Sequence, residues 1–380
     1  MKYKIPLFKI YWDKNDVKAV TQVIESGMNW AIGPKIAEFE DLLAGYVGVK
    51  YALSFSSGTS ALHALMIACG IGPGDEVIVP SFTFIATANA VLFVGAKPVF
   101  AEIEPETFGL DPEDVERKIT SKTKAIMPIH FGGCPCKIRE IKKISEKHNL
   151  ILLEDAAESL GSGIKKKVGS FGAAAMISFC QNKVITTGEG AVVTTNSREI
   201  YEKLKLIRSH GRVENENYFS SVKKMDHIAL GYNFRMSNIL AALGISQFKK
   251  VGKIIKIRQK NANYLNDKLA DVKEIILPIP PKDYFHVFQM YTIRVKEGKK
   301  LRDGLKDYLN DRGIMTKIYF DLVHLTDFYE KNFGWRKGDL PATEKISEQV
   351  LTLPVYPTLT LKELDYITKE IKNFFKGYGK

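Results

Sequence analysis

Short apolar runs alternate with amphipathic segments through the first half of the chain. In residues 35–46, for example, Ile36, Phe39 and Leu43 recur at the spacing of one helix face. The predicted strands cover 51–55, 76–79, 98–103, 125–130, 151–154, 174–179 and 191–195, and the predicted helices cover 60–69, 85–94, 112–119, 138–147 and 198–209. This alternation predicts an α/β fold with a mostly parallel sheet flanked by helices.

The second half of the chain predicts a smaller unit. A long helical stretch from about 237 to 270 leads into it. Residues 287–295 and 315–320 are predicted strands there, and 300–311 and 361–376 are predicted helices. We therefore expect a large domain over 1–250 and a small α+β domain over 251–380.

Composition favours a globular cytoplasmic protein. The 380 residues are 45% hydrophobic and 26% charged. No apolar run approaches the roughly 18 residues that span a bilayer, and the N-terminus lacks the apolar stretch of a signal peptide. The net charge of +12 would suit nucleic acid. Because the basic residues are scattered, a solvated surface is the first interpretation and an anionic small substrate the second.

The cysteines do not predict a metal site. Only Cys134 and Cys136 are close in sequence among the four, which also include Cys69 and Cys180. A metal site would need more ligands at suitable spacing, so reduced structural thiols are expected and no metal is predicted.

Lys183 carries the most informative chemical signal. The apolar strand 174–179 leads into a turn rich in threonine and glycine that contains this lysine, and a second apolar strand, 191–195, leads away. A lysine between apolar strands is poorly solvated, which disfavours its charged form. A neutral amine can form a Schiff base with an aldehyde. For an isolated lysine the alternative is a surface position in a hairpin.

Two further segments predict an anion cradle and a buried acid. The run Ser56–Ala61 follows a strand and opens a helix, so its first amides and hydroxyls suit an anion. Asp155 ends a buried strand, where a carboxylate needs a cationic partner; a helix N-cap is the alternative. Pyridoxal phosphate needs three groups: a phosphate cradle, an acid for its ring nitrogen and a lysine that binds its aldehyde. The sequence offers all three, so this cofactor is predicted.

Further motifs extend over nearly the whole chain. They are Gly33-Pro34, Glu38-Phe-Glu40, Ser57-Gly-Thr-Ser60, Pro80-Ser-Phe-Thr-Phe-Ile-Ala-Thr-Ala-Asn89, His130-Phe-Gly-Gly, Glu154-Asp-Ala-Ala-Glu158, the lysine run Ser178–Gly190, Gly231-Tyr-Asn-Phe-Arg-Met236 and Leu353-Pro-Val-Tyr-Pro357. Together they resemble the DegT/DnrJ/StrS family of sugar aminotransferases. The resemblance implies the aspartate aminotransferase-type fold, which is fold type I of the enzymes that depend on pyridoxal phosphate.

The resemblance also assigns expected roles around the cofactor. Lys183 would bind its aldehyde and Asp155 its ring nitrogen, while Phe84 would stack on the ring; core packing is the alternative for Phe84. The phosphate would be bound by Gly58, Thr59 and Ser60 of the cradle and by Ser178 at the end of the strand that precedes Lys183.

Two expected roles are less direct. Asn233 resembles the asparagine that reaches the phosphate of the neighbouring subunit, which implies a homodimer with shared active sites; a turn residue is the alternative. Glu158 would lie near the phenolic oxygen of the cofactor. Because a carboxylate repels a phenolate, Glu158 would be protonated, bridged by water or turned to the substrate, and its role stays open.

The expected substrates are glutamate as amino donor and a nucleotide-linked keto-sugar as acceptor. The Thr186-Thr-Gly-Glu-Gly190 form of the lysine run is similar to that of family members that aminate carbon 4 of a 4-keto-6-deoxy sugar, such as perosamine synthases, whereas amination of carbon 3 is the alternative. Contacts to the sugar nucleotide are expected from Asn29, Trp30, Lys317, Tyr319 and His324. A solvated strand lysine is the alternative for Lys317, and a loop cap is the alternative for His324.

Two other functions compete. The family's dehydratases replace the lysine with histidine, so Lys183 argues against dehydration. A DNA-binding regulatory protein is the alternative of another class, but the chain contains no recognition helix or basic and aromatic stripe that would support binding to nucleic acid.

Overall fold

The structure is a computed structural model that describes residues 3–213 and 226–378. The strands are β1 (Tyr51–Phe55), β2 (Glu76–Pro80), β3 (Lys97–Ala101), β4 (Thr123–Ile126), β5 (Ile151–Asp155), β6 (Gly163–Ile164), β7 (Lys166–Lys167), β8 (Ala174–Ser178), β9 (Ala191–Thr195), β10 (Ile275–Ile276), β11 (Tyr291–Val295) and β12 (Val350–Leu353).

The helices are α1 (Lys14–Glu25), α2 (Pro34–Val47), α3 (Gly58–Ala68), α4 (Ala86–Phe93), α5 (Pro112–Arg117), α6 (Ile138–Lys147), α7 (Arg198–Arg208), α8 (Asn238–Phe248), α9 (Val251–Leu269), α10 (Lys299–Asp311), α11 (Asp327–Phe333), α12 (Pro341–Gln349) and α13 (Leu361–Tyr378).

A seven-stranded sheet in the order β1-β9-β8-β5-β4-β2-β3 forms the centre of the larger unit. The pairs β2–β3, β2–β4, β4–β5 and β5–β8 are parallel, and β9 runs antiparallel to both of its neighbours. Helices cover its two faces, and their apolar residues pack with the sheet into separate cores. The predicted α/β fold with a mixed, mostly parallel sheet is confirmed.

A second, antiparallel sheet in the order β10-β11-β12 forms the smaller unit with α10 and α13. Helix α9 joins the two units, because Ile254 packs in a core of the large sheet and Leu265 in the core of the small one. The N-terminal Ile5 also packs in this second core and bridges to Ile314.

One of the predicted elements is wrong, and another is interrupted. Residues 315–320 do not form a strand: Lys317 makes an isolated bridge to Thr352, and the third strand of the small sheet is β12. The backbone of Met315 pairs instead with Ile5, so no continuous ladder forms. The helical stretch 237–270 is broken between α8 and α9, at Lys249 and Lys250.

Helices α1, α11 and α12 were not predicted. The start of α1 has a local signal, since the side chain of Asp13 accepts from the backbone in the first turn while Asp16 accepts from the Asp13 amide. Over the described ranges, no helix is both long and apolar enough to cross a bilayer.

Candidate active site

Lys183 lies in the loop between β8 and β9, as predicted, with its side chain only 14% exposed. The loop folds back on itself, because the amide of Phe179 donates to Gly190 O at 2.8 Å and the amide of Thr187 donates to Phe179 O at 3.0 Å. Gly190 has a φ of +156°, and a Cβ there would lie 2.5 Å from Met236 Cε. A glycine is therefore required where this loop returns to the sheet.

The small unit helps to hold the lysine loop. The side-chain amide of Gln289, which precedes β11, donates to Asn182 O at 2.6 Å, next to Lys183. No local sequence pattern indicates this contact, because the two residues are far apart in the chain.

Glu158 faces Lys183. Its Oε2 accepts a 2.8 Å hydrogen bond from the amide of Gly132, and its Oε1 lies 3.5 Å from Lys183 Nζ. The structure thus turns the carboxylate towards the lysine and holds it there through a backbone amide.

Asp155 is the last residue of β5, and its buried carboxylate accepts few hydrogen bonds from the described residues. Its Oδ1 accepts from the amide of Ala157 at 3.1 Å and its Oδ2 from the Thr87 hydroxyl at 2.7 Å. Within residues 3–213 and 226–378, no cation forms an ion pair with it. Burial raises the pKa of Asp155, and the bonds from Thr87 and Ala157 oppose this rise. A buried carboxylate without an ionic partner fits a protonated ring nitrogen.

The start of α3 and the end of β8 meet beside this acid. A Cβ on Gly58 would lie 3.6 Å from Ser178 Oγ, so the first turn of the helix faces that hydroxyl. Ser60 Oγ is engaged within the cap, where it accepts from the amide of Ser57, while Thr59 is exposed. The first amides of an 11-residue helix beside a serine hydroxyl suit a phosphate group.

Phe84 and Asn233 are both exposed. Phe84 lies in the turn between β2 and α4 with 61% of its surface accessible, so it is not a core residue. Asn233 follows Tyr232 and precedes Phe234 in sequence, and the rings of these two neighbours stack on each other with centroids 4.8 Å apart. The carbonyl of Phe234 accepts from the amide of Ser56 at 2.7 Å, which places the Asn233 segment against the phosphate cradle.

The residues expected to bind the sugar nucleotide divide into two groups. Asn29 and Trp30 are exposed in the loop before α2, where Asn29 has a φ of +60°. Lys317 is exposed and lies over the ring of Tyr319, with 4.7 Å between Nζ and the ring centroid. Burial raises the pKa of Tyr319, and the negative charge of Glu158 adds to this rise, so Tyr319 lies near the lysine site.

The prediction that His324 contacts the sugar is wrong. His324 is fully buried; its Nδ1 lies 2.6 Å from Ser81 Oγ and its Nε2 lies 3.3 Å from Glu344 Oε1. His324 therefore links its own loop to the segment after β2 and to α12. This agrees with the alternative interpretation of His324 as a loop cap.

Thr87 and Gly132 are site residues that were not identified from the sequence. Thr87 had a usable signal, since it follows Thr83 by four residues at the start of a predicted helix and would share its face. Gly132 acts through its amide, which no side-chain pattern reveals.

These residues fit pyridoxal phosphate, because three features lie close together. They are a lysine whose side chain is 14% exposed, a buried acid without an ion-pair partner among the described residues, and a helix N-terminus. The described part of the chain contains no group of three or more His, Cys, Asp or Glu residues that could hold a metal ion.

Known proteins resemble the chain over nearly its full length. The model of the DegT/DnrJ/EryC1/StrS aminotransferase family matches residues 11–372. The GDP-perosamine synthase of Caulobacter vibrioides is 38% identical over 358 residues, which cover 93% of this chain and 94% of that protein.

Solved structures share the fold. The aminotransferase PseC of Helicobacter pylori, involved in the biosynthesis of pseudoaminic acid, superposes with a TM-score of 0.91 at 30% identity and covers 98% of this chain and 99% of that one. Spr1654 of Streptococcus pneumoniae in its PLP form gives a TM-score of 0.92 at 26% identity, covering 99% of each chain. This chain therefore belongs to the DegT/DnrJ/EryC1/StrS aminotransferase family, whose enzymes depend on pyridoxal phosphate.

Proposed function

We propose that this aminotransferase moves the amino group of glutamate to carbon 4 of a nucleotide-linked 4-keto-6-deoxy sugar. The observation that carries the choice of acceptor is the 38% identity, over 93% of the chain, to a GDP-perosamine synthase. The Thr-Thr-Gly-Glu-Gly form of the lysine loop supports the same choice. The catalytic pair is Lys183 and Asp155.

Pyridoxal phosphate, when bound, supplies an aldehyde that takes up the amino group and an electron-accepting ring. Lys183 Nζ would hold the aldehyde and, as a free amine, would be the base that moves a proton at the reacting carbon. Asp155 binds the protonated ring nitrogen from its buried position, and Phe84 presents its exposed ring for stacking.

The remaining site residues position the reactants. The first amides of α3, with Thr59 and Ser178, bind the phosphate, while Ser60 holds the cap that orients those amides. Glu158 lies 3.5 Å from Lys183 and its charge acts on Tyr319, which supports a role on the substrate side of the lysine. Lys317, Asn29 and Trp30 are exposed and suited to contact the sugar nucleotide.

The proposed enzyme is a cytoplasmic homodimer whose active sites are shared between subunits. Asn233 is exposed beside the cradle, and large apolar side chains with no role assigned above are exposed on the same unit, including Trp12 and Leu230. Such apolar surface is typical of an interface between subunits. The division into domains over 1–250 and 251–380 is part of the same proposal, although α9 contributes to the cores of both.

Mixing two inactive variants tests the shared site. Lys183→Ala and Asn233→Ala are expected to be impaired as separate homodimers. A mixed dimer contains one site with both native residues, so activity returns on mixing if Asn233 acts across the interface. Persistent inactivity of a mixture whose mixed dimers are verified by mass spectrometry would show that Asn233 acts within its own subunit, and native activity of the Asn233→Ala homodimer would show that Asn233 has no role.

The substrate assignment is tested with a panel of nucleotide-linked 3-keto and 4-keto sugars, each incubated with glutamate and read by mass spectrometry. A product of the mass of the amino sugar is expected from 4-keto-6-deoxy sugars and not with Lys183→Ala. Amination of the 3-keto sugars alone would refute the choice of carbon 4. Aspartate or alanine replacing glutamate as donor would refute the assigned donor.

A further inference from the structure

A chain of two buried threonine hydroxyls ends on Asp155. Thr83 and Thr87 are each 1% exposed, their hydroxyl oxygens lie 2.8 Å apart, and Thr87 Oγ1 lies 2.7 Å from Asp155 Oδ2. The two threonines are four residues apart, so the turn that begins α4 places them on one face.

The direction of this chain follows from the carboxylate. An ionised carboxylate only accepts hydrogen bonds, so the single hydroxyl proton of Thr87 is donated to Asp155. The oxygen of Thr87 is then the acceptor for the hydroxyl of Thr83. Each member therefore orients the next, and the charge on Asp155 polarises both hydroxyls.

Phe84 belongs to the same turn but points the other way. It is 61% exposed, whereas its neighbour Thr83 and the following Thr87 are buried, and the amide of Thr87 donates to Phe84 O at 3.1 Å. One turn thus presents an aromatic ring outwards and a hydroxyl inwards to the acid.

We propose that Thr87 is a positioning residue that aims Asp155 Oδ1 and Oδ2 at the cofactor ring nitrogen and keeps the carboxylate ionised, with Thr83 supporting Thr87. The reason is that Asp155 has only two hydrogen-bond donors in the described structure, Thr87 and the amide of Ala157. Thr87 is the only one of these two donors that belongs to a side chain, and hydrogen bonds to the charged form of an acid favour that form.

The proposal depends on the role assigned to Asp155 and not on the sugar. Its test is the dissociation constant of pyridoxal phosphate, measured by titrating cofactor-free enzyme and following the absorbance of the bound cofactor. Thr87→Val keeps the β-branched shape and removes the hydroxyl, whereas Thr87→Ser keeps the hydroxyl. Thr292→Val is a matched control, because Thr292 is also buried and its hydroxyl lies 2.9 Å from that of Thr352, in the small sheet.

We expect Thr87→Val to raise this dissociation constant about tenfold or more, since it removes a hydrogen bond to a charged group. Thr87→Ser and Thr292→Val should stay within about twofold of the native enzyme, and Thr83→Val should raise the constant about threefold, as loss of a weaker, neutral hydrogen bond. If Thr87→Val does not fold, the comparison of Thr83→Val with Thr87→Ser decides the question in the same assay.

The pH dependence separates positioning from packing. The charges of Lys183 and His130 also act on Asp155. Both residues are present in every variant, so their effect on Asp155 is the same in all of the titrations. Removing the Thr87 hydroxyl favours protonation of Asp155, so the loss of cofactor affinity at acidic pH should begin at higher pH in Thr87→Val than in the native enzyme or in Thr292→Val. An unchanged pH profile and dissociation constant in Thr87→Val, or an equal loss in Thr87→Ser, would overturn the proposal.

Asp155→Asn is the reference that separates this inference from the assignment of Asp155. Weak cofactor binding by Asp155→Asn together with native binding by Thr87→Val would leave Asp155 in place and refute the threonine chain. Native binding by Asp155→Asn would refute the role of Asp155 itself. Neither result depends on which sugar is aminated.

Discussion

Glu154 provides the sharpest stability prediction, because it is a fully buried carboxylate with four hydrogen-bond donors. Its Oε1 accepts from the amides of Phe171 and Gly172 at 2.7 and 2.9 Å, and its Oε2 accepts from the amide of Gly169 at 2.9 Å. The fourth donor is His130 Nε2 at 3.2 Å. His130 Nδ1 accepts from the amide of Cys136, so the ring proton is on Nε2 and faces Glu154.

The substitution Glu154→Gln preserves size and replaces one oxygen by an NH₂ group that cannot accept. Whichever oxygen is replaced, two donors lose their acceptor and face another donor. With about 1.5–3 kcal/mol for each hydrogen bond to a charged group, the expected loss of unfolding free energy is about 3–6 kcal/mol. Exposed Glu330→Gln is the control and should change stability by less than about 0.5 kcal/mol.

The assay is thermal and urea unfolding of the cofactor-free protein, followed by circular dichroism. Although burial raises the pKa of Glu154, the bonds from His130 and from the amides of Gly169 and Gly172 outweigh this effect and lower the pKa below its usual range. Its stabilisation is therefore complete above the unfolded-state pKa of about 4.3 and is lost as pH falls through the lower folded-state value. The difference between native protein and Glu154→Gln should shrink at acidic pH below about 4.3. A loss under about 1 kcal/mol at pH 7 would refute the reasoning.

Three further predictions concern the site and its supports. Burial lowers the pKa of His324, so its contribution to stability is present above about pH 6.5 and is lost as pH falls; His324→Ala should cost about 1–3 kcal/mol in urea unfolding and leave KM for the sugar unchanged. A Cβ at Gly190 would clash with Met236, so Gly190→Ala should weaken cofactor binding in an absorbance titration. Gly252 lies in α9 with open space around it, so Gly252→Ala should instead stabilise the protein by about 0.5–1 kcal/mol. Glu158→Gln keeps an acceptor for the Gly132 amide but removes the charge facing the lysine, so it should lower kcat while the cofactor content stays native; an unchanged kcat would contradict a role in the reaction.

The sequence predicts the large sheet well, because most positions of its strands are buried and many of them are apolar. Strand β8, for example, is buried at all five positions and was identified from its apolar residues alone. The same signal fails in 315–320, where an apolar and aromatic run has high strand propensity but pairs with Ile5 on one side and Thr352 on the other. Such pairing depends on distant parts of the chain, which a local pattern does not contain.

The site could be predicted to the extent that its chemistry resides in side chains next to strand ends. Lys183 and Asp155 follow β8 and end β5, and both positions have a recognisable pattern. His324 was misassigned, since a histidine in a loop gives no local indication of whether Ser81 and Glu344 will enclose it. Support from backbone amides, as that of Gly132 to Glu158, is likewise set by tertiary structure alone.

Two adjacent carboxylates at the end of β5 differ in the number of hydrogen-bond donors around them. This difference indicates that Glu154 stabilises the fold, whereas Asp155 is available to a ligand. Successive side chains of a strand point to opposite faces, so Glu154 and Asp155 necessarily meet different neighbours. Glu154 is saturated by four donors and fixes the chain around Gly169. Among the residues that the structure describes, Asp155 accepts hydrogen bonds from two donors only, and burial raises its pKa. A buried acid with so few donors needs a ligand that completes its hydrogen bonding, so these surroundings assign Glu154 to the fold and Asp155 to the site.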